Sequence, residues 1–428
     1  MTISKGKFLR MPYFTLLILL MFGACGGASE TPPTLPPVAP SPIVTPPLEP
    51  PIRIGAERTE TYLPQLADKS VGMVVNPTSR VGNRHLVDTL LSRGVRIAKL
   101  FAPEHGFRGT ADAGAAVVDG TDLKTGLPIL SLYGNNKKPS PDQLRNLDLV
   151  LFDIQDVGAR FYTYISTLTY VMEACAEAGI PVMVLDRPNP NGHYVDGPVL
   201  EPAYSSFVGL HPVPVVHGMT IGEYARMVNG EGWLKNGIQC DLTVIPMEHY
   251  RHDRPYDLPV KPSPNLPNQR SILLYPSICF FEGTVVSCGR GTDAPFQQFG
   301  APDWPGDAGS PYATTFIPQA KEGAGFPKHE GKTCRGYDLR SLPTDSLYAR
   351  KQLNISYLLR FYEGYPDKEN FFLENKFFDK LAGTDTFRKQ IVAGWSEEQI
   401  RATWRDGLRA FKTMKQPYLL YGATISAK

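Results

Sequence analysis

Glu104 stands in Ala102-Pro103-Glu104-His105-Gly106-Phe107-Arg108-Gly109, directly after the apolar run from Val95 to Phe101. Such a run reads as a buried strand ending in a loop, where Pro103 stiffens the backbone and two glycines allow close approach to a ligand. A carboxyl group held there is a candidate general acid or base; otherwise it caps a turn or pairs with Arg108. A second acid, Glu282, lies in Cys279-Phe280-Phe281-Glu282-Gly283-Thr284, upstream of Ser287-Cys288-Gly289-Arg290-Gly291-Thr292-Asp293. Glycines on both sides of Arg290 bring it and Asp293 within reach of a ligand, or Arg290 forms a structural ion pair with Asp293 or Glu282. Glycoside hydrolysis uses such a pair of acids: one protonates the leaving oxygen and the other attacks or activates water.

Between a strand and a helix the chain packs Asp153, Gln155, Asp156, Arg160, Tyr162 and Tyr164 into twelve residues, Asp153 to Tyr164. Rings that stack and groups that bind hydroxyls in pairs suit a saccharide subsite, although Asp156 and Arg160 pairing locally with the tyrosines as rim packing fits the same residues. Asn76, Asp186 and Arg187 follow other apolar runs, and His105 and Arg108 flank Glu104. All are candidate binding residues. Glu223 is discounted as an acid because Thr220 and Glu223 have capping-box spacing. Glu248-His249 with His252 lacks a distant third ligand, so no metal or other cofactor is expected.

The elements that must position these groups are an alternation of strands and helices. Strands are predicted at Val71 to Val75, Val95 to Phe101, Ile129 to Tyr133, Leu149 to Asp153 and Val182 to Asp186, with helices at Leu86 to Arg93 and Tyr164 to Ala178. Short continuous apolar strands between helices indicate an α/β fold whose parallel sheet is covered on both faces, a Rossmann-like three-layer domain. Its carboxyl edge receives Asn76, Glu104, Asp153 and Asp186, and that edge forms the crevice. After Pro246 the pattern is less regular, with helices predicted at Ile355 to Tyr362, Asp385 to Ala393 and Ser396 to Met414, the last opening on a Ser396/Gln399 capping box.

No G-x-G-x-x-G follows a strand, and there is neither a Walker sequence nor a G-x-S-x-G elbow. Hydride transfer, phosphate-loop hydrolysis and serine acyl transfer lose ground accordingly. The net charge of +2, from 44 basic and 42 acidic residues, offers no basic stripe for nucleic acid. Apart from Cys25, the cysteines Cys175, Cys240, Cys279, Cys288 and Cys334 are odd in number and form no C-x-x-C, which argues against a disulfide framework.

Residues 1–25 read as a secretory signal: Lys5, Lys7 and Arg10, an apolar stretch from Tyr13 to Phe22, then Gly23-Ala24-Cys25. The small residues before Cys25 resemble a bacterial lipoprotein cleavage box, which implies lipidation of Cys25 and a cell-envelope location, periplasmic or outer-membrane-anchored. Residues 26–53 are a Pro-rich linker, a stiff spacer without a core. The remainder is too long for one typical core, so two domains are expected, 54–245 and 246–428.

Taken together, Phe101 to Gly109, Asp153 to Tyr164, Leu185-Asp186-Arg187-Pro188-Asn189-Pro190, Phe281 to Thr284 and Gly289 to Asp293 resemble the NamZ family of bacterial exo-β-N-acetylmuramidases, long filed as a domain of unknown function. The match extends from about Ile54 to the carboxyl terminus. The resemblance implies a Rossmann-like amino-terminal catalytic domain, a smaller carboxyl-terminal α/β domain and an active-site cleft between them. It implies hydrolysis of terminal non-reducing N-acetylmuramic acid from peptidoglycan fragments, in cell-wall turnover. Glu104 would be the main catalytic carboxylate and Glu282 the second acid, with their division of labour open. Arg187, Arg160 or Arg290 would pair with the lactyl carboxylate that distinguishes this sugar from N-acetylglucosamine. The 2-acetamido group also leaves substrate-assisted hydrolysis open. The rival expectation is a non-catalytic saccharide-binding envelope lipoprotein.

Overall fold

Val71–Val75 and Leu149–Asp153 are buried at every position, so these strands have core on both faces and pair in parallel. The computed structural model describes residues 49–104, 106–108 and 119–422. The signal segment with Cys25, the spacer up to residue 48, and His105 lie outside the described residues.

Strands β1 (Val71–Val75), β2 (Ile97–Ala102), β3 (Gly120–Thr121), β4 (Pro128–Ser131), β5 (Leu149–Asp153), β6 (Val182–Leu185) and β7 (Leu242–Ile245) form one sheet in the order β7-β6-β5-β1-β2-β4-β3. All neighbours are parallel except the short β3, which runs antiparallel to β4. Alternate side chains enter two different cores. Val74, Phe101, Val150, Phe152 and Val184 join one apolar cluster, which includes residues of α2 (Tyr164–Ala178) and α3 (Ile221–Gly230). Met73, Val75, Leu100, Leu151 and Leu185 join the other, beneath the helix Thr59–Leu66 and α1 (Leu86–Ser92). Each such side chain removed from water contributes about 1.5–3 kcal/mol. The result is the three-layer Rossmann-like arrangement that the apolar runs predict.

Strand boundaries differ from expectation for local reasons. Val95 spends its N–H on the Leu90 carbonyl, after Gly94 turns left-handed at the end of α1, so pairing with β1 starts at Ile97. The strand β4 stops at Ser131, which leaves Tyr133 in the following loop. Because β1 is flanked by β2 on one side and β5 on the other, the chain switches direction of travel across the sheet beside it. Ligand crevices in open α/β sheets form at such points. Asn76, Glu104 and Asp153 come from the ends of these three strands.

The second region holds a small antiparallel sheet of β8 (Gln298–Ala301), β9 (Ala313–Phe316) and β10 (Cys334–Asp338), in the order β8-β10-β9. Around it lie α4 (Gln269–Ile278), α5 (Ser356–Gly364), α6 (Phe377–Ala382), α7 (Thr386–Val392) and α8 (Glu397–Met414). The α8 helix opens on the expected Ser396/Gln399 capping box. From Glu49 onward the chain is one compact unit, and the cluster under α2 continues through Phe281, Phe299, Phe361 and Phe411. Among the described residues no helix is long and apolar enough to cross a membrane. Cys175, Cys240, Cys279, Cys288 and Cys334 are buried free thiols.

Candidate active site

Glu104 lies two residues beyond β2 and is half-buried. The Tyr133 hydroxyl donates to its Oε1 at 2.9 Å, and Thr163 Oγ1 lies 3.3 Å from Oε2. The Tyr164 hydroxyl reaches the Glu104 backbone carbonyl at 3.3 Å. Three elements therefore fix this acid: the end of β2, the loop after β4 and the start of α2. Neither Tyr133 nor Thr163 stands out in the sequence, although Tyr133 follows a parallel strand in the same way as the candidates that do.

A row of tyrosines leads from this acid to the other region. Tyr162 stands edge-on to Tyr164 with ring centroids 5.0 Å apart, and edge-on to Tyr275 of α4 at 5.8 Å. Its hydroxyl donates to the Pro262 carbonyl at 2.8 Å. Burial first, then neighbouring negative charge that includes Glu104, raises the hydroxyl pKa of both Tyr162 and Tyr164 above the usual range. Burial first, then Cys279 and Glu282, does the same to Tyr275. The charge of each acid thus reaches one end of the same aromatic row.

Glu282 sits in the 3-10 turn Cys279–Gly283 that continues α4. Arg290 Nε donates to its Oε1 at 2.6 Å, and the guanidinium lies over the Phe296 ring at 5.0 Å. The Cys279 thiol faces Oε2 at 3.5 Å. Burial works against the Arg290 charge, but Glu282 more than compensates and holds its pKa above the usual range. Beneath this turn the half-buried Lys328 ammonium donates to the carbonyls of Phe281, Thr284 and Val286.

Several sequence candidates serve the scaffold instead. Arg160 is completely buried and donates to the carbonyls of Pro198 at 3.0 Å, Val213 at 2.7 Å and Leu381 at 2.8 Å. It ties the sheet domain to α6 through these bonds. Burial lowers its pKa to about 9. Arg187 grips Asp153 through two bonds of 2.6 and 2.8 Å, and both side chains are buried. Burial pushes the Asp153 carboxyl up, against the pull of Arg187. Asp186 accepts from Thr220 Oγ1, the Gly222 N–H and the Tyr421 hydroxyl, at 2.7, 2.8 and 2.6 Å, so it anchors α3 and the carboxyl-terminal segment.

Arg108 pairs with Asp88 at 2.7 Å and Asp122 at 3.1 Å, which secures the Glu104 loop to α1. Asp293 has a side chain 92% exposed and pairs with Lys321. Gln155 spends its amide on the carbonyls of Asp156 and Pro188. Asp156 is buried, accepts from the Gly158 N–H at 2.7 Å and has His217 Nε2 at 3.8 Å. Burial raises its carboxyl to about 7 and lowers His217 to about 3. Asn76 accepts from Thr78 and lies against the Tyr164 hydroxyl, next to the Glu104 backbone.

The acid discounted in the sequence behaves as a cap. Glu223 and Thr220 bond reciprocally at 2.9 and 3.2 Å. His252 pairs with Glu223 and Glu248 with Arg53 and Arg58. Among the described residues no group of histidine, cysteine and acidic side chains could hold a metal ion.

The family model described as exo-beta-N-acetylmuramidase NamZ, N-terminal, matches residues 71–270, and its C-terminal counterpart matches 273–421. The chain belongs to the NamZ family. The peptidoglycan beta-N-acetylmuramidase NamZ of Bacillus subtilis (strain 168) is 40% identical, over 94% of this chain and 97% of its own length. Two crystal structures of DUF1343 family proteins from Bacteroides fragilis share the fold. One has a TM-score of 0.79 at 46% identity, covering 87% of this chain and 99% of its own. The other has a TM-score of 0.73 at 29% identity, covering 86% of this chain and 99% of its own. The two NamZ models meet in the first turn of α4, the helix that leads into Glu282, so Glu104 and Glu282 fall in different NamZ regions.

Proposed function

We propose that this chain is a glycoside hydrolase of the NamZ type, an exo-acting β-N-acetylmuramidase that removes terminal non-reducing N-acetylmuramic acid from peptidoglycan fragments. The observation that carries the reading is the braced Glu104 carboxyl at the switch point of the sheet, joined by the tyrosine row to the Glu282–Arg290 pair. In this reading the terminal sugar lies between the two acids. One carboxyl gives its proton to the leaving oxygen while the other directs water or supports the acetamido group, and the two roles stay unassigned between Glu104 and Glu282.

Of the three arginines considered for the lactyl carboxylate, Arg290 fits best. Arg160 and Arg187 are buried and committed, whereas the Arg290 side chain keeps 27% of its surface exposed and offers Nη donors beyond the Nε on Glu282. We also propose that Cys25 carries a lipid and that residues 26–48 act as a spacer holding the enzyme at the cell envelope, where wall fragments arise, since Glu49 to Arg53 already belong to the folded unit. The lipoprotein-like leader and the Pro-rich composition support this.

The test is Glu104→Gln, assayed on a chromogenic N-acetylmuraminide. A fall in kcat of at least about 100-fold is expected for loss of a general acid or base. Unaltered turnover removes Glu104 from the mechanism. A wild type that binds the sugar without cleaving it establishes a saccharide-binding protein instead.

A further inference from the structure

Phe326 is 99% exposed, and its backbone is anchored on both sides. Before it, Asn265 Nδ2 donates to the Gly323 carbonyl at 2.6 Å, Pro264 packs against Gly323, and Ala324 bridges to Lys321. Gly323 is left-handed, with φ of +85°, and a β-carbon there would lie 2.6 Å from Pro264. After it, Pro327 packs on Gly291, which leaves no room for a side chain at that glycine. Lys328 then plugs into the carbonyls of Phe281, Thr284 and Val286. A loop with this many anchors holds the Phe326 backbone at a fixed place on the surface.

The anchors also place the loop. Gly291 is next to Arg290 and Phe281 is next to Glu282, so the segment after Phe326 rests on the backbone of the acid–guanidinium pair. Pro264 and Asn265 belong to the stretch whose Pro262 carbonyl receives the Tyr162 hydroxyl, on the Glu104 side. Phe326 therefore projects from a loop tied to both halves of the candidate site.

We propose that Phe326 is a stacking platform for the sugar on the leaving-group side of the scissile bond, a subsite for the pyranose face of the residue that follows the terminal muramic acid. The proposal rests on the glycosidase reading. An exo-acting site encloses the terminal ring and leaves the rest of the glycan projecting into solvent, where a fully exposed ring can meet it. The apolar face of a pyranose covers an aromatic ring and removes both surfaces from water. No catalytic group is involved, so the contact contributes binding to the outer sugar and nothing to bond cleavage itself.

The experiment compares wild type, Phe326→Ala and Phe326→Trp on two substrates: the disaccharide N-acetylmuramyl-β-1,4-N-acetylglucosamine, and N-acetylmuramyl β-fluoride, whose leaving group has no ring. For Phe326→Ala the expected result is a rise in KM of roughly 3- to 10-fold on the disaccharide, with kinetics on the fluoride unchanged and recovery in Phe326→Trp. Equal kinetics of Phe326→Ala and wild type on the disaccharide overturn the subsite. Equal loss on both substrates also overturns it, since the ring would then act on the terminal sugar or on the fold. A wild type inactive on both substrates overturns the glycosidase reading itself, and with it the subsite.

Discussion

The Tyr133 hydroxyl donates to Oε1 of Glu104 at 2.9 Å, from a loop 29 residues further along the chain. With Thr163 near the other oxygen, hydroxyl groups from two separate elements contact the carboxyl. Tyr133→Phe is expected to lower kcat by about 10-fold with KM changed less than 2-fold, which corresponds to one hydrogen bond of about 1.4 kcal/mol felt in the transition state. Steady-state kinetics on the disaccharide check it, and a change confined to KM would instead make Tyr133 a substrate contact.

Arg290 should govern the choice of sugar. Arg290→Lys keeps a cation over Phe296 but loses the planar fork, and Arg290→Gln loses the charge. Both should reduce kcat/KM on an aryl N-acetylmuraminide by about 100-fold or more. The ratio of muraminide to N-acetylglucosaminide hydrolysis should fall with it. If both substrates slow by the same factor, Arg290 acts through Glu282 alone.

Arg160→Met should damage the fold and leave the chemistry intact. It strands the carbonyls of Pro198, Val213 and Leu381 in a buried setting, at a cost of roughly 3 kcal/mol or more. Urea denaturation reports the loss, and kcat measured where the variant is folded should match wild type. Gly383, left-handed with φ of +75°, belongs to the same contact, because a β-carbon there would lie 2.7 Å from Arg160 Nη2.

Asp156 gives a pH signature. Burial raises its carboxyl to about 7 in the folded protein, against a usual value near 4. The folded state then holds the proton more tightly than the unfolded chain, so this contribution to stability is complete below about pH 4 and is lost as pH rises through about 7. His217, lowered to about 3, works in the opposite sense: its penalty is present at low pH and disappears as pH rises past the usual histidine value of about 6.5. Asp156→Asn isolates the first effect. The variant should gain stability relative to wild type between about pH 4 and 7, by an amount on the order of a few kcal/mol. Chemical denaturation at several pH values checks this, and a difference that does not vary with pH would show that Asp156 is not carrying the proton.

The sheet was legible because its strands are buried on both faces, which leaves unbroken apolar runs in Val71–Val75 and Leu149–Asp153. The strand β7 escaped notice because three of its four residues are only half-buried. The small antiparallel sheet escaped for another reason: Gly300 of β8 and Gly336 of β10 are paired across strands so tightly that a β-carbon at Gly336 would lie 1.8 Å from the Phe299 carbonyl. Glycine there reports close packing, yet it lowers the strand signal. Among candidate residues, local spacing anticipated the Glu282–Arg290 contact, which spans eight positions. It misread Arg160, whose partners stand 38, 53 and 221 positions away. Tyr133 and Thr163 were missed because a lone hydroxyl acquires meaning only when the acid it serves is placed beside it.

Tyr421 bonds Asp186 at the end of β6 and accepts from the Met247 N–H just after β7, while its own N–H and that of Leu420 reach Glu223. A chain folded without residues 420 and 421 would therefore carry a nearly whole sheet in which β6 and β7 lack this clasp. A polypeptide cut shortly before position 420 would leave Asp186 and Glu223 without these partners.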